Sequence, residues 1–368
     1  ALIDHQALAA NYRTLQAATT AEVIPIVKAD AYGHGLDAVA ATLEAAGAPL
    51  VGIAQVDEAL AHLRRRAHGP HIFSWLYGPD QHDDLVAAIR ANMHLAVAAP
   101  WQIDAVVAAA RAAGRSAQIH LKVETGMGRA GIPLAEFPAV ATRVADQSEL
   151  HVIGLYSHLA CADSDREVTT AQRMRFDEAI AIAKHFDFAL SYIHLAASAG
   201  TLWHSETHYT HVRPGIALYG IAPDDTDAHR LNLQPVMRLE ATLTSVKSLG
   251  AGTPISYGHS AVVKTDTQVG IVPLGYADGI DRAASNRGYV THQASGRQCP
   301  ILGRICMDQF MIDLGAQTTA RAGDRIVVWG DGGPSVSQWA TWVGTIGYEI
   351  TTRLGVRVPR VHQGSSDG

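Results

Sequence analysis

A lysine at the end of an apolar run is the first group in this chain with clear chemical potential. Residues 23–27, Val-Ile-Pro-Ile-Val, lead into Lys28 and then into Ala-Asp-Ala-Tyr-Gly-His-Gly. A short, apolar, β-branched run of this kind reads as a buried strand. Lys28 then stands where a strand stops and a loop begins, partly withdrawn from water. Desolvation lowers a lysine's pKa towards the neutral amine, and a neutral amine condenses with an aldehyde to a Schiff base. The plainer reading is a lysine that closes a strand and points into solvent. Gly33 and Gly35 weigh against it, because glycines let the backbone approach a bound group closely.

Other reactive or binding groups occur at intervals along the chain. Lys122-Val-Glu-Thr-Gly-Met-Gly-Arg129 joins a glycine loop to a guanidinium suited to pairing with an anion. Ser157-His158 closes another apolar run, a position where a histidine is more often structural. Ala-Ala-Ser198-Ala-Gly places small residues at a helix start, which suits a phosphate. Tyr257 lies in a turn-like Ile-Ser-Tyr-Gly-His and is by itself a weak signal. His204, His208 and His211 have a spacing that invites a zinc reading. No nearby cysteine or ordered helix supports it, so no metal is expected.

These groups need a frame. Apolar runs at 23–27, 50–55, 71–76, 94–99, 117–123, 150–158, 192–197 and 211–213 read as strands. Helical patterns lie between most of them: 57–66, 79–90, 100–114, 134–145 and 165–185. A further helix begins behind an Asp4 cap, with Leu8, Tyr12 and Leu15 at helical spacing. Such alternation predicts parallel βα units, and eight units predict a closed (β/α)8 TIM-like barrel. Lys28, Arg129, His158, Ser198 and Gly215 all come after a predicted strand directly or by a short loop, where barrel chemistry collects. From Asp224 the pattern changes. A polar linker at 224–227 precedes short β-like runs at 237–249, 268–273, 288–291, 299–305, 309–314 and 324–329, with one helix at 336–343. The fold class is therefore α/β, with a barrel over 1–225 and a mostly-β C-terminal domain over 226–368. Residues 363–368 read as a frayed tail.

Composition narrows the functional classes. A chain of 368 residues with 48% hydrophobic and only 17% charged residues has material for a large core. A net charge of −6 does not favour nucleic-acid binding. No apolar run is long enough to span a membrane, and no signal peptide is visible at the N-terminus. Three cysteines, Cys161, Cys299 and Cys306, make no disulfide framework and suit a reducing compartment, which makes the cytoplasm the expected location.

Lys28-Ala-Asp-Ala-Tyr-Gly-His-Gly resembles the cofactor-lysine motif of the alanine racemase family. The likeness continues in order through Lys122–Arg129, Ser157-His158, Ser198, Arg213-Pro-Gly-Ile, Ile-Ser-Tyr257-Gly-His, Gly-Tyr276-Ala-Asp-Gly, Gly-Arg-Ile-Cys-Met307-Asp-Gln and Gly-Tyr348-Glu-Ile, and covers nearly the whole chain. Departures are Asp30 where Asn is commoner, Glu124 for Asp, and Ala197 for Asn.

The resemblance implies a pyridoxal 5'-phosphate (PLP) enzyme that interconverts L- and D-alanine and supplies D-alanine for peptidoglycan. It puts PLP on Lys28, with Tyr32, Ser198, Gly215, Ile216 and Tyr348 around the cofactor and His158 beneath its ring. Arg213 would face the ring nitrogen, where the partner is either an acid or an arginine. Arg129, Met307 and Tyr276 would meet the substrate or line its entrance, and Lys122 would carry a carbamate. Tyr257 would be the second base opposite Lys28, contributed across a homodimer with shared sites. Free tyrosine titrates near ~10, so such a base needs nearby positive charge. Related barrel decarboxylases carry a carboxylate where this chain has Arg213, and non-catalytic PLP carriers lack the β domain. A racemase of broader substrate range stays open.

Overall fold

The computed structural model describes residues 1–66, 68–224 and 228–364. Eight short parallel strands organise the first half: Glu22–Val23, Leu50–Gly52, His71–Ser74, His94–Val97, Ala117–Glu124, Leu150–Tyr156, Tyr192–Ala197 and His211–Arg213. Each pairs with the next from the second onward, and the eighth pairs with the first. The ring closes where Gly52 donates to the Pro25 carbonyl at 2.8 Å and accepts from Val27 at 2.9 Å. The result is the expected (β/α)8 barrel. These strands are buried along most of their length, as parallel strands covered by helices must be.

The first strand is shorter than its apolar run. Pro25 has no N–H to give a ladder. Ile24 and Ile26 still donate to Val212 and Pro214 at 2.8 and 3.0 Å, so the segment stays extended up to Lys28. The turn after Lys28 is not an ordinary helix start. Ala29, Asp30, Ala31 and Tyr32 all have left-handed φ angles, between 54° and 56°. Left-handed backbone costs an L-residue about 1–2 kcal/mol, so this turn must be held. The Glu58 carboxylate accepts from the N–H groups of Ala29 and Asp30 at 3.1 and 2.7 Å. Asp30 in turn accepts from Leu36 N–H at 2.8 Å at the start of the helix Leu36–Ala45, which follows the glycine-flanked turn.

The second compact unit comprises Ala1–Leu8, Tyr32–Gly35 and the chain from Tyr219 onward. Its nine-stranded sheet runs in the order Ser245–Leu249, Thr267–Val272, Phe310–Asp313, Arg297–Leu302, Tyr289–His292, Arg325–Trp329, Met237–Thr242, Leu2–Asp4, Val361–Gln363. All pairings but the last are antiparallel. Trp329 and Trp339 pack edge to face at 5.7 Å beneath the helix Val336–Val343. The mostly-β character matches expectation, and by its contacts this unit also takes in two short segments from the start of the chain. Leu2–Asp4 is a strand of this sheet, and Asp4 N–H donates to Val236 at 2.9 Å before its side chain caps the helix His5–Ala17. Tyr32–Gly35 joins the same unit because Gly33, at φ 82°, packs so tightly that a Cβ would lie 2.3 Å from the Thr351 carbonyl. Of the expected linker, residues 225–227 lie outside the described residues. So does the tail beyond Gly364, whereas Gln363 ends a strand.

Candidate active site

Lys28 stands at the C-terminal end of the first barrel strand, with its Nζ 6.0 Å from the Trp75 ring centroid. Desolvation, then the charge of Arg129, lowers its pKa, while Glu58 opposes them. Lys122 is more deeply buried, and its pKa is lowered to about 8 by desolvation, Arg129 and Arg213. Both amines therefore have more neutral form near pH 8 than a free lysine would.

Arg129 is exposed at the end of the loop after the fifth strand. In the sequence Glu124 stands out only as a departure from a pattern, yet it holds this loop. Its carboxylate accepts from Gly126 and Met127 N–H at 2.5 and 2.6 Å. Burial would raise its pKa, but the N–H groups of Gly126, Gly128, Met127 and Arg129 outweigh that and lower it. Thr125 locks the base of the loop by a 2.8 Å bond to Ser157, and Arg175 holds the Thr125 carbonyl at 2.9 Å.

Arg213 is 5% exposed at the end of the eighth strand. Its Nη1 donates to His194 Nδ1 at 2.8 Å. Its Nη2 donates to the carbonyls of Ser157 and Leu195 at 2.8 and 3.2 Å, and to His158 Nδ1 at 3.2 Å. Burial lowers its pKa to about 10, so it is still a cation at neutral pH. Among the described residues no carboxylate pairs with it. His158 is held neutral by burial first and then by Arg213, Arg129, Lys122 and Lys28. Ser198 and Gly215 are brought together: the Ser198 hydroxyl accepts from Gly215 N–H at 2.9 Å and Ala217 N–H at 3.3 Å, flanking Ile216.

The second unit carries the remaining residues. Tyr32 and Tyr348 face each other with ring centroids 6.1 Å apart, and Tyr219 packs on Tyr32 at 4.9 Å. Nothing in the sequence singles out Tyr219, whose apolar setting reads as core. Tyr257 lies in a tight turn between Pro254–Ile255 and Ala261–Val262 and is 71% exposed. It lines a concavity of about 670 Å³ together with His259, Cys306 and Met307. Tyr276 is tied to that rim through its N–H, which donates to Cys306 at 3.1 Å. The histidine cluster resolves as structural. His204 bonds the Ala162 carbonyl, His208 bonds Thr19, and His211 bonds Thr210. No metal-ligating group of three or more is found among the described residues, and the cysteines are free.

The donor set in the barrel fits PLP. Lys28 offers a desolvated amine for its aldehyde, and Ser198 with Gly215 offers a hydroxyl and N–H cluster for its phosphate. Nη1 of Arg213 donates to His194 and Nη2 to Ser157, Leu195 and His158, which leaves Nε–H and the second Nη1 N–H without a protein acceptor among the described residues.

A lysine-centred barrel with a β unit that displays an exposed tyrosine turn defines the class. The family descriptions "Alanine racemase, N-terminal domain" and "Alanine racemase, C-terminal domain" match residues 3–223 and 236–362. An alanine racemase of Beutenbergia cavernae is 48% identical over 100% of this chain and 98% of its own length. One from Thermobifida fusca is 41% identical over 99% of this chain and 98% of that protein. Among solved structures, an alanine racemase from D-cycloserine-producing Streptomyces lavendulae superposes with TM-score 0.94 at 40% identity, covering 99% of this chain and 96% of that one. The chain belongs to the alanine racemase family, whose members are PLP-dependent isomerases.

Proposed function

We propose that this protein racemises free alanine with PLP, as a homodimer in the cytoplasm, and supplies D-alanine for wall synthesis. The observation that carries the reading is that the barrel holds both a desolvated Lys28, at the end of its first strand, and a buried Arg213 whose acceptors are all neutral, at the end of its eighth. Lys28 holds the cofactor's aldehyde carbon. Ser198, Gly215 and Ile216, with Tyr348, would hold its phosphate, and Tyr32 and His158 would contact the rest of the cofactor. PLP, when bound, supplies the electron sink for the α-carbon, and the group facing its ring nitrogen sets how strong that sink is.

Arg213 donates a hydrogen bond and opposes protonation there, which restrains the sink and favours return of the proton over transamination. Racemisation removes the α-proton from one face and returns a proton to the other, so two bases on opposite faces serve it best. Lys28 takes the D-alanine proton. The partner subunit's Tyr257 takes the L-alanine proton, and the 71% exposure of Tyr257 in a single chain supports a role completed by a second copy. Arg129 with Met307 binds the substrate carboxylate, and Tyr276 lines the entrance. Lys122 carries a carbamate, which converts a cation beside Arg129 into a carboxylate that holds the guanidinium. The lowered pKa of about 8 favours the neutral amine this needs. Two measurements test the reading. Borohydride should fix the cofactor on the peptide containing Lys28, and chiral chromatography of a panel of L-amino acids should show D-alanine as the leading product. Label on another lysine, or no D-alanine, overturns it.

A further inference from the structure

Beneath Arg213 the barrel interior holds imidazoles where such cores ordinarily hold branched aliphatics. His194 receives Arg213 Nη1 on its Nδ1 at 2.8 Å. The Nε2 of His194 lies 2.8 Å from His120 Nδ1, and the Nε2 of His120 lies 3.2 Å from His94 Nδ1. His94 is the first residue of the fourth strand and Arg213 the last of the eighth. The chain of rings thus runs between the two ends of the barrel, fully buried.

The guanidinium fixes its direction. Arginine has no acceptor, so His194 Nδ1 must accept and its proton sits on Nε2. That N–H donates to His120 Nδ1, which puts the His120 proton on Nε2, which donates to His94 Nδ1 and fixes the third proton likewise. All three rings are kept neutral by burial, with His94 lowered to about 4. A proton entering at His94 has no lone pair to reach at Arg213, so this is no conduit for protons. Each ring instead turns a lone pair towards the guanidinium, and the aligned dipoles reinforce one another.

The rings are also clamped. Tyr156 stacks on His194 at 5.0 Å and Phe73 on His120 at 4.5 Å. Gly154 leaves room where a Cβ would lie 2.4 Å from His120 Nδ1. The pairing register shifts at that point, between Ile119 and His120.

We propose that His194, His120 and His94 are positioning residues that hold Arg213 in place as a full cation through one fixed set of tautomers. A buried charge needs compensation. A carboxylate would supply it but would cancel the field that Arg213 presents, whereas a chain of neutral acceptors leaves that field intact. The inference deepens the racemase reading and rests on it only for its catalytic arm.

Histidine-selective 15N labelling of the full-length enzyme tests it, with two-bond 1H–15N spectra from pH 5.5 to 8.5 and signals assigned by single His→Gln variants. Three non-titrating rings of the Nε2–H form are expected. A ring among the three in the Nδ1–H form, or one that titrates in this range, overturns the proposal. In His120→Leu the His194 signal should become a tautomer mixture. Pyruvate formed per racemisation event should rise by about tenfold, the scale on which loss of an outer partner acts at other sites. His120→Asn, whose amide oxygen can accept from His194, should restore both. Unchanged tautomer and partition in His120→Leu overturn the idea, and if that variant does not fold, the wild-type spectra decide. Absence of racemisation with the tautomers as expected would remove the proposed function and leave the chain of rings standing.

Discussion

Arg213 and Lys122 in the barrel and Tyr257 and Met307 in the β unit belong to one proposed site, yet they live in opposite surroundings. The first pair is 5% and 7% exposed, the second 71% and 53%. Burial is what tunes the barrel groups: desolvation is the leading cause for Lys28, Lys122, His158 and Arg213 alike. Tyr257 is instead largely exposed in a single chain. The contrast teaches that one unit carries buried, finished surroundings, and the other displays exposed groups that the proposed homodimer would cover.

The sharpest way to break that contrast is to disable each side separately. Lys28→Ala and Tyr257→Phe chains should each lose about a thousandfold in racemisation. Mixed under conditions of proven subunit exchange, they should regain activity, since one site of the heterodimer keeps both bases. Steady-state assays of the mixture decide, and no recovery would mean each chain completes its own site. A finer test uses the two faces. Tyr257→Phe should stop exchange of the L-alanine α-proton with deuterated water by about 10²–10⁴-fold, while Lys28 still exchanges that of D-alanine. Mass spectrometry of single turnovers reads both, and equal loss from both enantiomers counts against a face-specific Tyr257.

Arg213→Glu probes the barrel side alone. It replaces a fixed donor with a group that shares a proton, so transamination should rise against racemisation by about tenfold or more. An unchanged product ratio by pyruvate assay would remove Arg213 from control of the reaction's course. The smallest effect is on stability. The His94 pKa falls from 6.5 to about 4 on folding. Between those values the unfolded chain binds a proton that the folded chain refuses, so stability falls as pH falls. That difference is worth roughly 3 kcal/mol at most. Urea midpoints of wild type and His94→Gln, measured from pH 7 to pH 4.5, should therefore converge towards the acid end. Parallel curves would mean that the ring is not held neutral.

Much of the barrel was legible because each strand announces itself locally, as at 117–123 and 192–197. Lys28 and Arg213 were legible because they end such runs, and Arg129 because it closes a short glycine loop that follows one. What hid was non-local. Leu2–Asp4 is three residues long and is a strand only because Met237–Thr242 and Val361–Gln363 lie beside it. His94, His120 and His194 are 26 and 74 residues apart in sequence, and each reads as an isolated histidine in an apolar run. The role of Glu58 was equally invisible, because nothing in a helix's first turn says which distant N–H it will meet. The left-handed turn after Lys28 also gave no sign, since Ala-Asp-Ala-Tyr is acceptable in an ordinary helix.

That turn inverts the usual ranking of substitutions. In right-handed helices alanine is the best residue, and glycine costs about 1 kcal/mol. At Ala29 and Ala31, with φ near 56° and 54°, the order reverses. Glycine relieves the crowding of Cβ against its own carbonyl, asparagine and aspartate tolerate it, and β-branched residues suffer most. A saturation library across 29–32 would therefore show the fingerprint of a mirror-image helix written in ordinary amino acids. Its tolerance would track chirality, where the helices around the barrel track burial.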